Sequence, residues 1–248
     1  MFKIQHIIDK EFLSLFIAII SLIISLISTF YYSRKEKYIT VKNNISNYID
    51  QIYDLQRKLE IEKDKKNIDV KEITSIQLQL KHLLHVVIEL EGESNLNQPQ
   101  CRLLAECFDH MLYYDLAEKY WLKVFEYPFL IPELEAEYYR SYAMFLYKIQ
   151  KKDVGEDVFK KSLSCLMNTT DAHRYINIFT LSIWIKEESI FFDENVLKDN
   201  GKQNIVYCYR NACSIFKEIK NPMLQKNAFK LIKEMQAIYE KFNLNKPI

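Results

Sequence analysis

Glycine is nearly absent from this sequence: Gly92, Gly155 and Gly201 are the only three in 248 residues. So few glycines exclude a phosphate-cradling loop and a dinucleotide fingerprint, and they leave little material for tight hairpins between strands. Cysteines are few and odd in number. Cys101, Cys107, Cys165, Cys208 and Cys213 form no CxxC pair, which argues against a disulfide framework and for reduced thiols in a cytosolic compartment. Catalytic signatures are missing as well: there is no GxSxG, no HExxH and no specific cysteine–histidine pairing, so nothing asks for an enzyme or a cofactor.

The next absence is local. Residues 12–32 carry no charge, and four charges then fall within the next five positions. At 1.5 Å per helical residue the run spans roughly 31 Å, the thickness of a bilayer's hydrocarbon core. It closes on Phe30, Tyr31 and Tyr32, followed by Arg34 and Lys35, unlike the small-residue end of a cleaved signal peptide. A retained single span is therefore expected, the alternative being a buried core helix. Lys3 and Lys10 precede it, whereas Arg34, Lys35, Lys37 and Lys42 follow. The positive-inside rule then places the C-terminal part in the cytoplasm, with a bacterial inner membrane as the expected location.

Within the run, Ser14, Ala18, Ser21, Ser25 and Ser28 recur four and three apart on one helix face. Such a stripe lets two membrane helices approach closely and form a homo-oligomer, or reflects hydroxyls back-bonded to their own helix. Val41, Ile45, Tyr48, Ile52, Leu55 and Leu59 continue the same spacing, as a short coiled coil or as an amphipathic helix packed on the downstream domain. The two registers differ by one residue, so a continuous rod calls for an adjustment between Ser33 and Thr40. The domain order is thus a flank (1–11), a transmembrane helix (12–32), a coiled-coil-like helix and linker (33–67) and a cytoplasmic domain (68–248).

That last domain has helical periods almost throughout, so the fold class is all-α, built of antiparallel hairpins. Caps and periods predict helices near 71–91, 101–113, 116–128, 133–150, 154–167, 172–191, 203–219 and 222–243. Asp115 with Glu118 and Asp153 with Glu156 have the spacing of capping pairs, and Asn221-Pro222 that of an N-cap followed by proline.

Two stretches are internally similar. Leu104, Ala105 and Phe108, then Ala117, Trp121 and Val124, correspond to Tyr142, Ala143 and Leu146, then Gly155, Phe159 and Ser162, with an offset of thirty-eight residues. The pattern resembles the tetratricopeptide repeat, in which small residues let the helices of a hairpin touch and aromatics fill the groove to the next. Its thirty-four-residue period is exceeded by four, which the loop EYPFLIPE accommodates. The resemblance covers about 98–168 and implies a superhelical array whose concave surface binds a cytosolic protein or peptide. Tyr113, Tyr114, Tyr138, Tyr139 and Tyr147 are the candidates to line it.

Net charge is +1, yet the distribution is uneven. Residues 33–67 carry nine positive and six negative side chains, 68–197 thirteen and twenty-one, and 198–248 ten and four. Lys226, Lys230 and Lys233 share one face of the last helix and could meet phosphates, anionic lipid or an acidic partner. A single span before a small, lysine-rich helical domain is similar in outline to some bacterial abortive-infection proteins that act against phage. That resemblance implies a second function, binding of nucleic acid near the membrane through this basic end. His82, His85 and Glu89 lie on one face of a helix, and exposed polar residues are a better account of them than a metal site.

Overall fold

The computed structural model describes the backbone of residues 2–65, 69–92, 96–194 and 199–242, and side chains from Ile20 onward, excluding 192–200. All described secondary structure is helical: α1 (Phe2–Lys63), α2 (Val70–Glu91), α3 (Gln98–His110), α4 (Tyr114–Val124), α5 (Pro132–Lys148), α6 (Lys152–Ser164), α7 (Asp171–Glu194), α8 (Asp199–Phe216) and α9 (Pro222–Lys241). Two compact units divide the chain, Met1–Val124 and Phe125–Ile248. The first therefore joins the expected coiled-coil-like segment to the start of the expected cytoplasmic domain.

In the first unit α1 and α2 pair as an antiparallel hairpin. Val41, Ile45, Ile49, Ile52 and Leu59 of α1 are buried with Ile76, Leu80, Leu84 and Val87 of α2, each full burial contributing about 1.5–3 kcal/mol. Four of the six residues of the repeating apolar face thus pack with the chain's own next helix, while Tyr48 and Leu55 are half-buried and Ile49 joins the buried set. Helix α1 runs unbroken through residues 33–40, because that face meets α2 and need not continue the serine stripe. Ser14 and Ala18 lie outside the described side chains. Ser21, Ser25 and Ser28 sit roughly 130° around α1 from the face that meets α2. Among the described residues no helix is long and apolar enough to cross a membrane; the side chains of the first part of the 12–32 run, 12–19, lie outside the description.

Helices α3 and α4 form the next hairpin, α5 and α6 and then α7 and α8 two more, and α9 packs on α7 and α8. All twelve positions of the internal similarity are buried, so the pattern marks core. The turns within the two similar hairpins are the same. The Tyr113 and Leu112 amides donate to the Phe108 and Asp109 carbonyls, and thirty-eight residues later the Lys151 and Gln150 amides donate to those of Leu146 and Tyr147. Each is a Schellman motif, with Leu112 or Gln150 (φ 63° for both) in the left-handed position that glycine usually takes.

These turns also relocate the helix starts. Asp115 and Asp153 are not caps; they lie inside the first turns of α4 and α6, where a negative charge suits the helix dipole. Asn221 does cap α9, its Oδ1 accepting from the Met223 and Leu224 amides. The four extra residues of the second hairpin lengthen its first helix, since α5 has 17 residues and α3 has 13; the loop before α5 need not hold them.

Candidate interaction face of the second unit

Helix α7 lies between α5 and α9, so the first helices of successive hairpins stand side by side. Their outward stripes are legible from the helical period. On α5, Arg140 and Met144 are one turn apart; on α7, Phe179, Lys186 and Ile190 share a face. Met144, Phe179 and Ile190 are 38%, 36% and 53% exposed, respectively. The Arg140 guanidinium carbon stands 4.9 Å from the Phe179 ring centroid, and its Nη1 donates to Thr180 Oγ1 at 3.3 Å. Farther along, Lys186 pairs with Glu234 of α9 at 2.7 Å. At the start of α7, His173 Nε2 is 2.8 Å from Glu133 Oε1. The pair thus sets a cation over a partly exposed aromatic ring, with Met144 one turn along α5 and Ile190 three turns along α7.

Directly behind this face lies a buried polar cluster. Glu188 is 1% exposed, and its Oε1 accepts from Tyr147 Oη at 2.6 Å, Asn204 Nδ2 at 2.8 Å and Trp184 Nε1 at 3.3 Å. Lys152 Nζ stands 3.0 Å from Oε2 as an ion pair lacking the alignment of a hydrogen bond. Burial, and then the Glu188 charge, push the Tyr147 phenol far above its usual range, so it remains a donor. Helices α5, α6, α7 and α8 each supply a member of the cluster, which fixes how the two hairpins meet.

The turn into α9 is held by one carboxylate. Asp171 Oδ2 accepts from the Asn221 amide at 2.7 Å and the Lys220 amide at 3.0 Å, while Oδ1 meets Arg174. The Asn221 amide first, then Lys220 and Arg174, hold its carboxyl below the usual range against some opposing desolvation. A carboxyl with a lowered folded value stabilises above its unfolded value, about 3.9, and loses that contribution as pH falls through the folded one. The stability difference between wild type and Asp171→Asn, measured by thermal melts, is therefore expected to shrink from pH 6 to pH 3. A constant difference would show that the carboxylate charge is not what matters.

The tyrosine candidates separate between the units. Tyr113 and Tyr114 belong to the first, where Tyr113 is 38% exposed and Tyr114 half-buried. Tyr138, Tyr139 and Tyr147 belong to the second. Tyr138 and Tyr147 are buried, and Tyr139 stacks on Phe125 with centroids 4.5 Å apart. Arg140, Met144 and Phe179 become visible only from the phase of the α5 and α7 faces, which a search for tyrosines does not use. Lys226, Lys230 and Lys233 are exposed on α9.

In the first unit a groove of about 550 Å³ runs between α1 and α2, with Asp54, Lys58 and His82 among its lining residues. His82, His85 and Glu89 are exposed, and no group of three or more His, Cys, Asp or Glu side chains among the described residues could hold a metal. All five cysteines are free. Burial pushes Cys107 up to about 12 and Cys165 to about 11, so these thiols stay protonated at neutral pH. No protein-family model matches the chain, and no curated protein or solved structure matches it either.

Proposed function

We propose that the protein is a membrane-anchored helical-repeat adaptor that binds a cytosolic protein partner through the face of α5, α7 and α9. The observation carrying the repeat reading is the recurrence, after thirty-eight residues, of one Schellman turn with its buried small-residue pair. Within the second unit, hairpins whose first helices α5 and α7 are adjacent leave an extended face for a partner, as in tetratricopeptide-like arrays. The anchor is residues 12–32. Its described side chains are uncovered, with Leu22, Leu26, Ile27 and Phe30 61–63% exposed. Contiguous apolar surface of that kind asks for lipid or another protein, and the basic residues after it favour a cytoplasmic position for both units. The serine stripe faces away from α2 and leaves room for a second copy's helix; the Thr29 hydroxyl already donates to the Ser25 carbonyl at 2.8 Å.

The test is an affinity pull-down of tagged full-length protein from detergent extract, beside an Arg140→Glu/Phe179→Ala variant, with washes at high salt. A protein partner kept by the wild type and lost from the variant is the expected result. Equal retention by both would overturn the assigned face.

A further inference from the structure

We infer that the α9 ridge is a docking surface for an anionic lipid bilayer. Met223, Lys226, Phe229, Lys230 and Lys233 fall within about a third of the circumference of α9, and all five are exposed, Met223 at 67% and Phe229 at 48%. Lys217 and Lys220 are exposed in the turn that leads into the helix. None of these lysines is ion-paired with a carboxylate among the described residues, because the nearby acids are engaged elsewhere: Glu218 with Arg174, Glu234 with Lys186, Glu240 with Gln236. Lys233 instead lies 4.8 Å over the Phe229 ring. The Asp171 bonds to the Lys220 and Asn221 amides hold the backbone of the turn in place where it enters the helix that carries the lysines.

The form of the patch selects the occupant. Its charge is carried by lysines, compact point charges that suit a diffuse layer of headgroups better than bidentate recognition of a particular phosphate. Apolar Met223 and Phe229 are exposed among them, Phe229 resting against Phe216 with ring centroids 6.2 Å apart, as in helices that seat their large side chains at the headgroup–acyl boundary. Single-stranded nucleic acid calls for a groove and a series of stacking rings, whereas this ridge offers one ring.

This inference rests on the membrane-anchor reading for bringing the ridge near a bilayer. The test therefore uses the full chain in nanodiscs of phosphatidylcholine alone and with about a third phosphatidylserine. Lysine accessibility is read by reductive methylation and mass spectrometry. Labelling of Lys226, Lys230 and Lys233 is expected to fall about threefold or more in the anionic discs and to recover at high salt. Equal labelling in the two discs would overturn the inference. Protection by an added uridine homopolymer as strong as that by anionic lipid would overturn it too, in favour of a nucleic-acid surface. If the chain does not stay with neutral discs, the anchor reading fails by itself. The ridge is then judged by co-flotation with anionic vesicles, which wild type shows and a Lys226/Lys230/Lys233→Glu variant does not if the inference holds.

Discussion

Replacing Glu188 by alanine is expected to destabilise the second unit by about 3–5 kcal/mol, the largest effect of any single change considered. The residue is an acceptor shared by the Tyr147 hydroxyl, the Asn204 amide and the Trp184 indole, and it neutralises Lys152. Removing it takes the acceptor from the Tyr147 hydroxyl and the Asn204 amide and leaves Lys152 only Glu156 at 3.4 Å, while the Trp184 indole keeps the Tyr147 oxygen at 2.9 Å. Each unsatisfied buried donor costs about 1–3 kcal/mol before any relaxation. Glu188→Gln keeps an acceptor but removes the charge opposite Lys152, so a smaller loss is expected. Chemical denaturation followed by tryptophan fluorescence reads both, since Trp184 is fully buried beside the carboxylate. An alanine variant as stable as the wild type would show that the cluster does not join the hairpins.

The second large effect concerns Gly155, a glycine inside a helix. In an open helix Gly→Ala would gain roughly 1 kcal/mol from backbone propensity. Here an added Cβ would lie 2.7 Å and 2.8 Å from two ring carbons of Tyr147 and 3.3 Å from the Ala143 carbonyl oxygen. A tyrosine ring at a surface could swing aside, but this one is 3% exposed and tied through its hydroxyl to Glu188 and Trp184. Overpacking of about 1–3 kcal/mol therefore outweighs the propensity gain, and Gly155→Val should exceed the alanine variant. The expected outcome is a lower melting temperature for both, in that order. A stabilised Gly155→Ala protein would mean that α5 and α6 do not approach as closely as the structure has them.

The sequence made the helices legible and left their turns obscure, for different physical reasons. Amphipathic periods locate α2 to α9 to within a few residues because each helix buries one face, and the small pairs Ala105 with Ala117 and Ala143 with Gly155 announce hairpins whose axes come close. The turns are built from backbone hydrogen bonds around Leu112 and Gln150, neither of them glycine, so the usual marker of a left-handed cap is missing. The Asp115 and Asp153 cap assignments failed for the same reason. Glu188 hides in the run KEES, which reads as solvated; yet it follows Leu181 and Trp184 by seven and four residues and so falls on their buried face. Tyr138 and Tyr147 illustrate the converse. Aromatic residues suggest a binding groove by composition, but helix phase turns both inward.

The most direct measurement places a photo-crosslinking amino acid at position 179 of the full-length protein in living cells, with adducts analysed from carbonate-washed membranes. The expected result is a protein that remains with the membranes and carries one discrete partner adduct, which Arg140→Glu abolishes while leaving the protein folded. Release of the protein by carbonate would contradict the anchor, and the absence of any adduct at 179 would contradict the adaptor face of α5, α7 and α9.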